Sequence, residues 1–204
     1  IQGALVTMPH KVTTTGLVDE VLPTAAIAGA CNAVRREADG RLSGEMFDGE
    51  GFVRGMLRKG RVIAGARALV LGSGGVGSAI AASLAEASVS ALGLYDLNSA
   101  AAEALAARLL RHYPALALSL GSNDPAGFDI VVNATPLGMK PGDPLPLDIA
   151  RLDAATFVGE VVMAEEITPF LAAAGARGCA VQVGKDMLFE QIPAYLEFFG
   201  LPST

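Results

Sequence analysis

Six residues, Gly72-Ser73-Gly74-Gly75-Val76-Gly77, separate an apolar run, Ala66–Leu71, from an alanine-rich one that continues to Ala87. No other feature restricts the fold of this chain as strongly. Gly72, Gly74 and Gly77 have the spacing of a strand-to-helix turn that cradles a dinucleotide. The first glycine allows the tight turn, the second lets a pyrophosphate approach the backbone, and the third lets helix and strand pack closely. Gly75 and Val76 then open a helix whose free N–H groups and dipole favour phosphate. A glycine turn serving packing alone would show the same letters, so context decides. Asp96 supplies that context at the end of the next predicted strand. A carboxylate there accepts from an adenosine ribose 2′-OH and repels a 2′-phosphate. The segment Tyr95-Asp96-Leu97-Asn98 holds no Arg or Lys. These residues point to NAD, with NADP as the alternative. The competing structural reading of Asp96 is a helix N-cap.

From Ala66 onward the pattern repeats. Strands are predicted at Ala66–Leu71, Ser90–Tyr95, Ala115–Leu120, Phe128–Asn133, Thr156–Val162 and Cys179–Val183. Helices are predicted over about 76–87, 99–111, 168–176 and 187–199. The strands are continuously apolar rather than alternating, as in a parallel sheet covered on both faces. The fold class is therefore α/β, a Rossmann-type doubly wound parallel sheet. The first residues differ. Gly3–Thr7 reads as a strand with nothing before it to pair with, and Val12–Leu22 as a helix. Cys31–Arg36 and Arg41–Glu45 flank Asp39-Gly40, a strong hairpin signal. A helix over Gly49–Lys59 leads into the repeating region. Residues 1–62 are thus expected to form a smaller, N-terminally incomplete α/β lobe, and 63–204 the nucleotide lobe, with the last helix, within 184–200, near the cleft between them.

Composition excludes several classes. Hydrophobic residues make up 51% and charged residues 18%, enough for a sizeable core. A net charge of −6 supplies no basic footprint for nucleic acid. The longest uncharged stretch, Ala68–Ala85, is broken by four glycines, so no membrane span is expected. No basic segment follows Ile1 to suggest a signal peptide. Cys31 and Cys179 are too few for a disulfide scaffold, which suits a reducing cytoplasm. No His/Cys cluster has metal-ligand spacing, so no metal is expected.

Five further segments carry a resemblance. They are Val6-Thr7-Met8-Pro9-His10-Lys11, Gly29-Ala30-Cys31-Asn32-Ala33-Val34, Gly44-Glu45-Met46-Phe47-Asp48-Gly49-Glu50-Gly51-Phe52, Asn133-Ala134-Thr135-Pro136-Leu137-Gly138-Met139 and Gly184-Lys185-Asp186-Met187-Leu188-Phe189-Glu190-Gln191. Together, in this order and across essentially the whole chain, they resemble the shikimate dehydrogenase family. The family's pattern begins ahead of Ile1, so its first strands and the serine pair that holds the substrate carboxylate have no counterpart here.

The resemblance implies a cytoplasmic NAD(P)-dependent oxidoreductase of aromatic amino-acid biosynthesis (the chorismate pathway), monomeric or homodimeric. It would move a hydride between nicotinamide and a cyclic polyol carboxylate such as shikimate or quinate. Lys11 and Asp48 match the catalytic pair. Thr7, Asn32 and Gln191 match groups directed at the substrate. Asn133, Thr135, Leu137, Val162, Gly184 and Met187 match positions lining the cofactor, beside the glycine loop and Asp96. His10 is read as structural. Departures stand at Leu5, where the family has Asn; at Ala33, where it has Thr; at Met46-Phe47, where it has Asn-Thr; and at Met163, where it has Tyr. The alternatives are an NADP-linked biosynthetic shikimate dehydrogenase, a tetrahydrofolate-type dehydrogenase of similar architecture, and a non-catalytic dinucleotide-binding member.

Overall fold

The computed structural model describes residues 1–7 and 9–202. The first elements are β1 (Gly3–Leu5), α1 (Lys11–Thr14), β2 (Glu20–Val21), α2 (Pro23–Ala28), β3 (Ala33–Arg36), β4 (Leu42–Glu45) and α3 (Asp48–Arg58). Their sheet has the order β1-β3-β4-β2. Strand β1 does have a partner: it runs antiparallel to β3, with Gly3 opposite Arg35. The expected hairpin forms from β3 and β4, with Gly40 at φ +90° and Asp39 accepting from the Arg41 N–H at 3.0 Å.

The helix expected over Val12–Leu22 stops after Thr14. Thr14 Oγ1 donates to the His10 carbonyl at 2.8 Å and Thr15 Oγ1 to the Val12 carbonyl at 2.7 Å. Threonines that bond back to the preceding turn favour ends over interiors, and Gly16 follows them. Helix α2 starts at Pro23 without a capping side chain of its own, and Glu45 at the end of β4 accepts from the Ala25 N–H instead.

The second sheet holds β5 (Arg67–Leu71), β6 (Ala91–Tyr95), β7 (Ala117–Leu120), β8 (Ile130–Asn133), β9 (Phe157–Glu160) and β10 (Ala180–Gln182). Helices α4 (Gly75–Glu86), α5 (Ser99–His112) and α6 (Pro169–Ala176) cover it. All pairings are parallel and the order is β10-β9-β8-β5-β6-β7. That order is a doubly wound Rossmann sheet, with the crevice at the reversal point between β5 and β8. Along β5, Ala68 and Val70 face one apolar layer while Leu69 and Leu71 face the other, which is why the strand is apolar at successive positions.

The larger core crosses the boundary expected near residue 62. Ile27 of α2 and Phe52 and Met56 of α3 pack in one cluster with Ile80, Leu84, Ile130 and Phe157. The closing helix is two: α7 (Gly184–Glu190) and α8 (Ile192–Phe198), joined at Gln191. Pro193 lies in the first turn of α8; it has no N–H to continue the helix and restricts the residue before it. No described helix is long and apolar enough to cross a membrane.

Candidate active site

The glycine loop assigns each glycine a distinct job. Gly72 has φ +97°, and a Cβ there would lie 2.7 Å from the Ala134 carbonyl oxygen in the loop after β8. A Cβ at Gly77 would collide with the Gly72 carbonyl oxygen, so helix and turn touch through their backbones. Gly74, the N-cap of α4, has nothing within 4 Å of an added Cβ. This is open space in front of a helix N-terminus, where a pyrophosphate fits. Gly75 and Val76 form the first turn of α4. The Asp96 carboxylate accepts from the Ser73 N–H at 2.7 Å and from the Asn98 N–H at 2.8 Å. It therefore braces the loop and its own turn, and each oxygen keeps a lone pair for a ribose hydroxyl. The N-cap of α5 is Asn98, not Asp96.

Across the reversal point, Asn133 Oδ1 accepts from the N–H and hydroxyl of Thr135 at 3.1 and 2.6 Å. Asn133 Nδ2 donates to the Leu137 carbonyl at 3.0 Å. The Asn133–Leu137 loop is thus folded on itself before any ligand arrives. Val162 and Met187 are buried, and a Cβ at Gly184 would collide with the Val162 carbonyl, which brings the start of α7 against the end of β9. Met187 packs in the main core beside Phe52.

The polar cluster of the first lobe is built differently. Helix α3 carries Asp48 in its first turn, where the helix dipole favours a carboxylate. Glycines wedge this helix in place. A Cβ at Gly49 would strike the Ala79 carbonyl of α4, and one at Gly51 would lie 2.5 Å from the Met187 carbonyl of α7. Lys11 Nζ donates to Asp48 Oδ2 at 2.5 Å, with the two side chains 17% and 4% exposed. Asn32 Nδ2 donates to Asp48 Oδ1 at 2.8 Å.

The orientation of this cluster follows from one backbone group. The Phe47 N–H can only donate, so Asn32 presents Oδ1 to it at 2.9 Å. Asn32 Nδ2 then faces Asp48 and Gln191, so Gln191 presents Oε1, at 3.4 Å. The Tyr195 hydroxyl also meets Gln191 Oε1 and must donate to it. Lys11, Asn32, Asp48 and Gln191 thus come together. Thr7 does not join them: it is exposed, and its backbone carbonyl accepts from the His10 N–H. His10 caps α1 through its backbone, and its carbonyl holds Thr14.

Two residues of the site went unforeseen. Tyr195 is four positions after Gln191, the spacing that puts side chains on one helix face, and that spacing was its only signal. Glu160 ends β9 fully buried. Asn133 Nδ2 lies 3.5 Å from its Oε2, and its Oε1 has no hydrogen-bond partner among the described residues. Burial pushes its carboxyl above the ordinary range, against the contact with Asn133.

The departures fit one another. Phe47 packs with Ala33, Ala194 and Phe198, its ring 5.3 Å from those of Tyr195 and Phe198. The small Ala33 lies in the same cluster as the large Phe47. Met46 is buried with Ala25, Ala30 and Cys31. Leu5 and Met163 are exposed. Among the described residues no group of His, Cys, Asp or Glu is placed to hold a metal ion.

A doubly wound sheet with an open glycine turn, and a lysine–carboxylate pair on an adjoining lobe, define a pyridine-nucleotide-dependent dehydrogenase architecture. No protein-family model matches the chain. The shikimate dehydrogenase (NADP(+)) of Paracoccus denitrificans is 35% identical over 201 residues, 97% of this chain and 71% of that protein. Shikimate 5-dehydrogenase from Listeria monocytogenes, solved with shikimate and NAD, superposes with a TM-score of 0.89 at 27% identity, covering 98% of this chain and 73% of that one. Quinate dehydrogenase from Corynebacterium glutamicum, solved with NAD, gives a TM-score of 0.86 at 34% identity, with the same coverage of both chains. The chain belongs to the shikimate dehydrogenase family.

Proposed function

We propose that this chain interconverts a carbinol and a ketone on a cyclic polyol carboxylate of the shikimate or quinate type, with NAD as its preferred cofactor. Residues 1–62 serve as the substrate lobe and 63–204 as the dinucleotide lobe. Gly72, Gly74, Gly75, Val76 and Gly77 hold the pyrophosphate. Asp96 receives the ribose hydroxyls. The Asn133–Leu137 loop, with Val162, Gly184 and Met187, borders the nicotinamide. When bound, that ring gives or takes the hydride.

The chain's own residues manage the proton and the charge. Reduction of a ketone builds negative charge on its oxygen. The Lys11 ammonium stabilises that charge, and Nζ delivers the proton; in the reverse direction Nζ receives it. Asp48 Oδ2 fixes the ammonium, and Asn32 fixes Asp48. Gln191 orients the ring hydroxyls. The single observation behind this reading is the 2.5 Å Lys11–Asp48 pair. The lysine side chain is 17% exposed, and the pair shares a polar cluster with Asn32 and Gln191. The buried, unpaired thiols of Cys31 and Cys179 suit a reducing cytoplasm.

The test is steady-state turnover of shikimate and quinate with NAD and with NADP. The expected result is turnover of at least one polyol with NAD favoured. Preference for NADP by more than about tenfold overturns the cofactor assignment, since a ribose-facing carboxylate disfavours a 2′-phosphate. Absence of turnover on both polyols with both cofactors overturns the substrate class. The NADP-linked reading stays the second one because the Paracoccus relative bears that cofactor in its name.

A further inference from the structure

We infer that Tyr195 is a positioning residue of the polyol site, fixing the Gln191 amide so that only its Nε2 can meet the substrate. The inference rests on the function proposed above. The argument is one of donors and acceptors. Gln191 Oε1 has two lone pairs. One takes the Tyr195 hydroxyl and the other takes Asn32 Nδ2 at 3.4 Å. The carbonyl end is therefore saturated. Gln191 Nε2 makes a long contact, 3.4 Å, to the Met187 carbonyl one turn back, and among the described residues nothing takes its second N–H. The substrate atom at this position must then be an acceptor, such as a carboxylate, keto or hydroxyl oxygen.

Tyr195 is suited to a fixed donor role. Its ring stands edge-on to Phe47 with centroids 5.3 Å apart, and Phe47 in turn supplies the N–H that orients Asn32. Both ends of the network thus depend on one aromatic contact. Burial, with Asp48 nearby, pushes the phenol well above its ordinary range, so it stays protonated at neutral pH. One of the departures from the family pattern lies here: Phe47 supplies the surface against which the Tyr195 ring is seated. Without the hydroxyl, Oε1 would regain a lone pair, and the amide could turn over and offer the wrong end.

The test is Tyr195→Phe, which keeps the ring and its packing. Its first readout needs no substrate. The Gln191 side-chain amide signal in a 15N-labelled sample, assigned by its loss in Gln191→Ala, is expected to shift and to exchange faster in Tyr195→Phe, with an unchanged thermal midpoint. An unmoved signal overturns the inference whether or not the enzyme turns over shikimate. The second readout is kinetic, with shikimate or quinate as substrate. KM for the polyol is expected to rise about tenfold, the cost of one misdirected hydrogen bond, while kcat and the KM for NAD stay within about twofold. In the Gln191→Ala background, Tyr195→Phe should add nothing. A full tenfold cost in that background would mean that Tyr195 touches the substrate itself, and it overturns the positioning role. A protein inactive on both polyols but with the amide shift intact would sink the proposed substrate class and leave the Tyr195–Gln191 arrangement standing.

Discussion

The two halves of the site are made of different material. The phosphate and ribose end of the proposed dinucleotide half is backbone: glycines, helix N–H groups and one bracing carboxylate, all between Gly72 and Asn98. The proposed polyol half is side chains, drawn from several elements between Lys11 and Tyr195, and its order derives from the direction of a few hydrogen bonds. A backbone site is fixed by the fold itself and depends on which residues lack a side chain. A side-chain site depends on which partner each amide faces, and one lost donor can disorder its neighbours.

The sharpest way to separate the halves is Lys11→Met, which keeps most of the stem and removes the charge. We expect kcat to fall by about a thousandfold, within the usual range for a lost acid–base group, and dinucleotide affinity to stay within about twofold. Paired turnover and cofactor-binding measurements check this. An equal loss of both would mean that the halves do not work independently.

On the backbone half, two glycines should behave oppositely. Gly74→Ala adds a methyl to open space, so the thermal midpoint should hold while NAD affinity drops by roughly a hundredfold where the pyrophosphate is displaced. Gly77→Ala drives a Cβ into the Gly72 carbonyl, and the midpoint itself should fall. Thermal melts with and without NAD distinguish the two. Equal destabilisation by both would remove the case for Gly74 as the point of phosphate approach.

The same contrast explains what could be read in advance. The six parallel strands and the glycine turn lie in a contiguous stretch whose periodicity is local, and their order emerges from it. Lys11, Asn32 and Asp48 were legible through motif resemblance alone; nothing in their spacing shows that β3, α1 and α3 converge. The helix expected past Thr14 stops where the Thr14 and Thr15 hydroxyls donate to the His10 and Val12 carbonyls of the preceding turn. The single closing helix expected over 187–199 is two, because the apolar pattern runs through Pro193 while the backbone breaks at Gln191. Glu160 was missed because its importance lies in contacts across the fold, and Tyr195 because its spacing from Gln191 is shared by any pair on one helix face. Thr7, matched to the substrate by resemblance, has no partner in the cluster to hold its side chain.

A smaller effect is expected at the ribose end of the dinucleotide half. Asp96→Asn preserves an oxygen for the Ser73 N–H and removes the negative charge. The ratio of kcat/KM for NAD over NADP should then fall by about tenfold, because the carboxylate's repulsion of a 2′-phosphate is gone and its acceptance of ribose hydroxyls is weakened. An unchanged ratio would leave Asp96 only its bracing role.

The smallest effect concerns Glu160, which sits beneath the Asn133 loop with one oxygen unpartnered. Its carboxyl is raised by burial in the folded state, so the native protein keeps this proton at a pH where the unfolded chain has released it. Stability must therefore fall as pH rises above the ordinary glutamate range of about 4.3, until the folded group has itself ionised. Glu160→Gln cannot ionise and lacks that slope. The midpoint difference between variant and parent should move in the variant's favour from about pH 4 to neutrality, with the bulk of turnover retained, since Glu160 acts only by packing under a loop that Thr135 and Leu137 already brace. A midpoint difference independent of pH would mean that the carboxyl ionises as freely in the folded chain as outside it. The loop after β8 would then rest on a charge that some other group must neutralise.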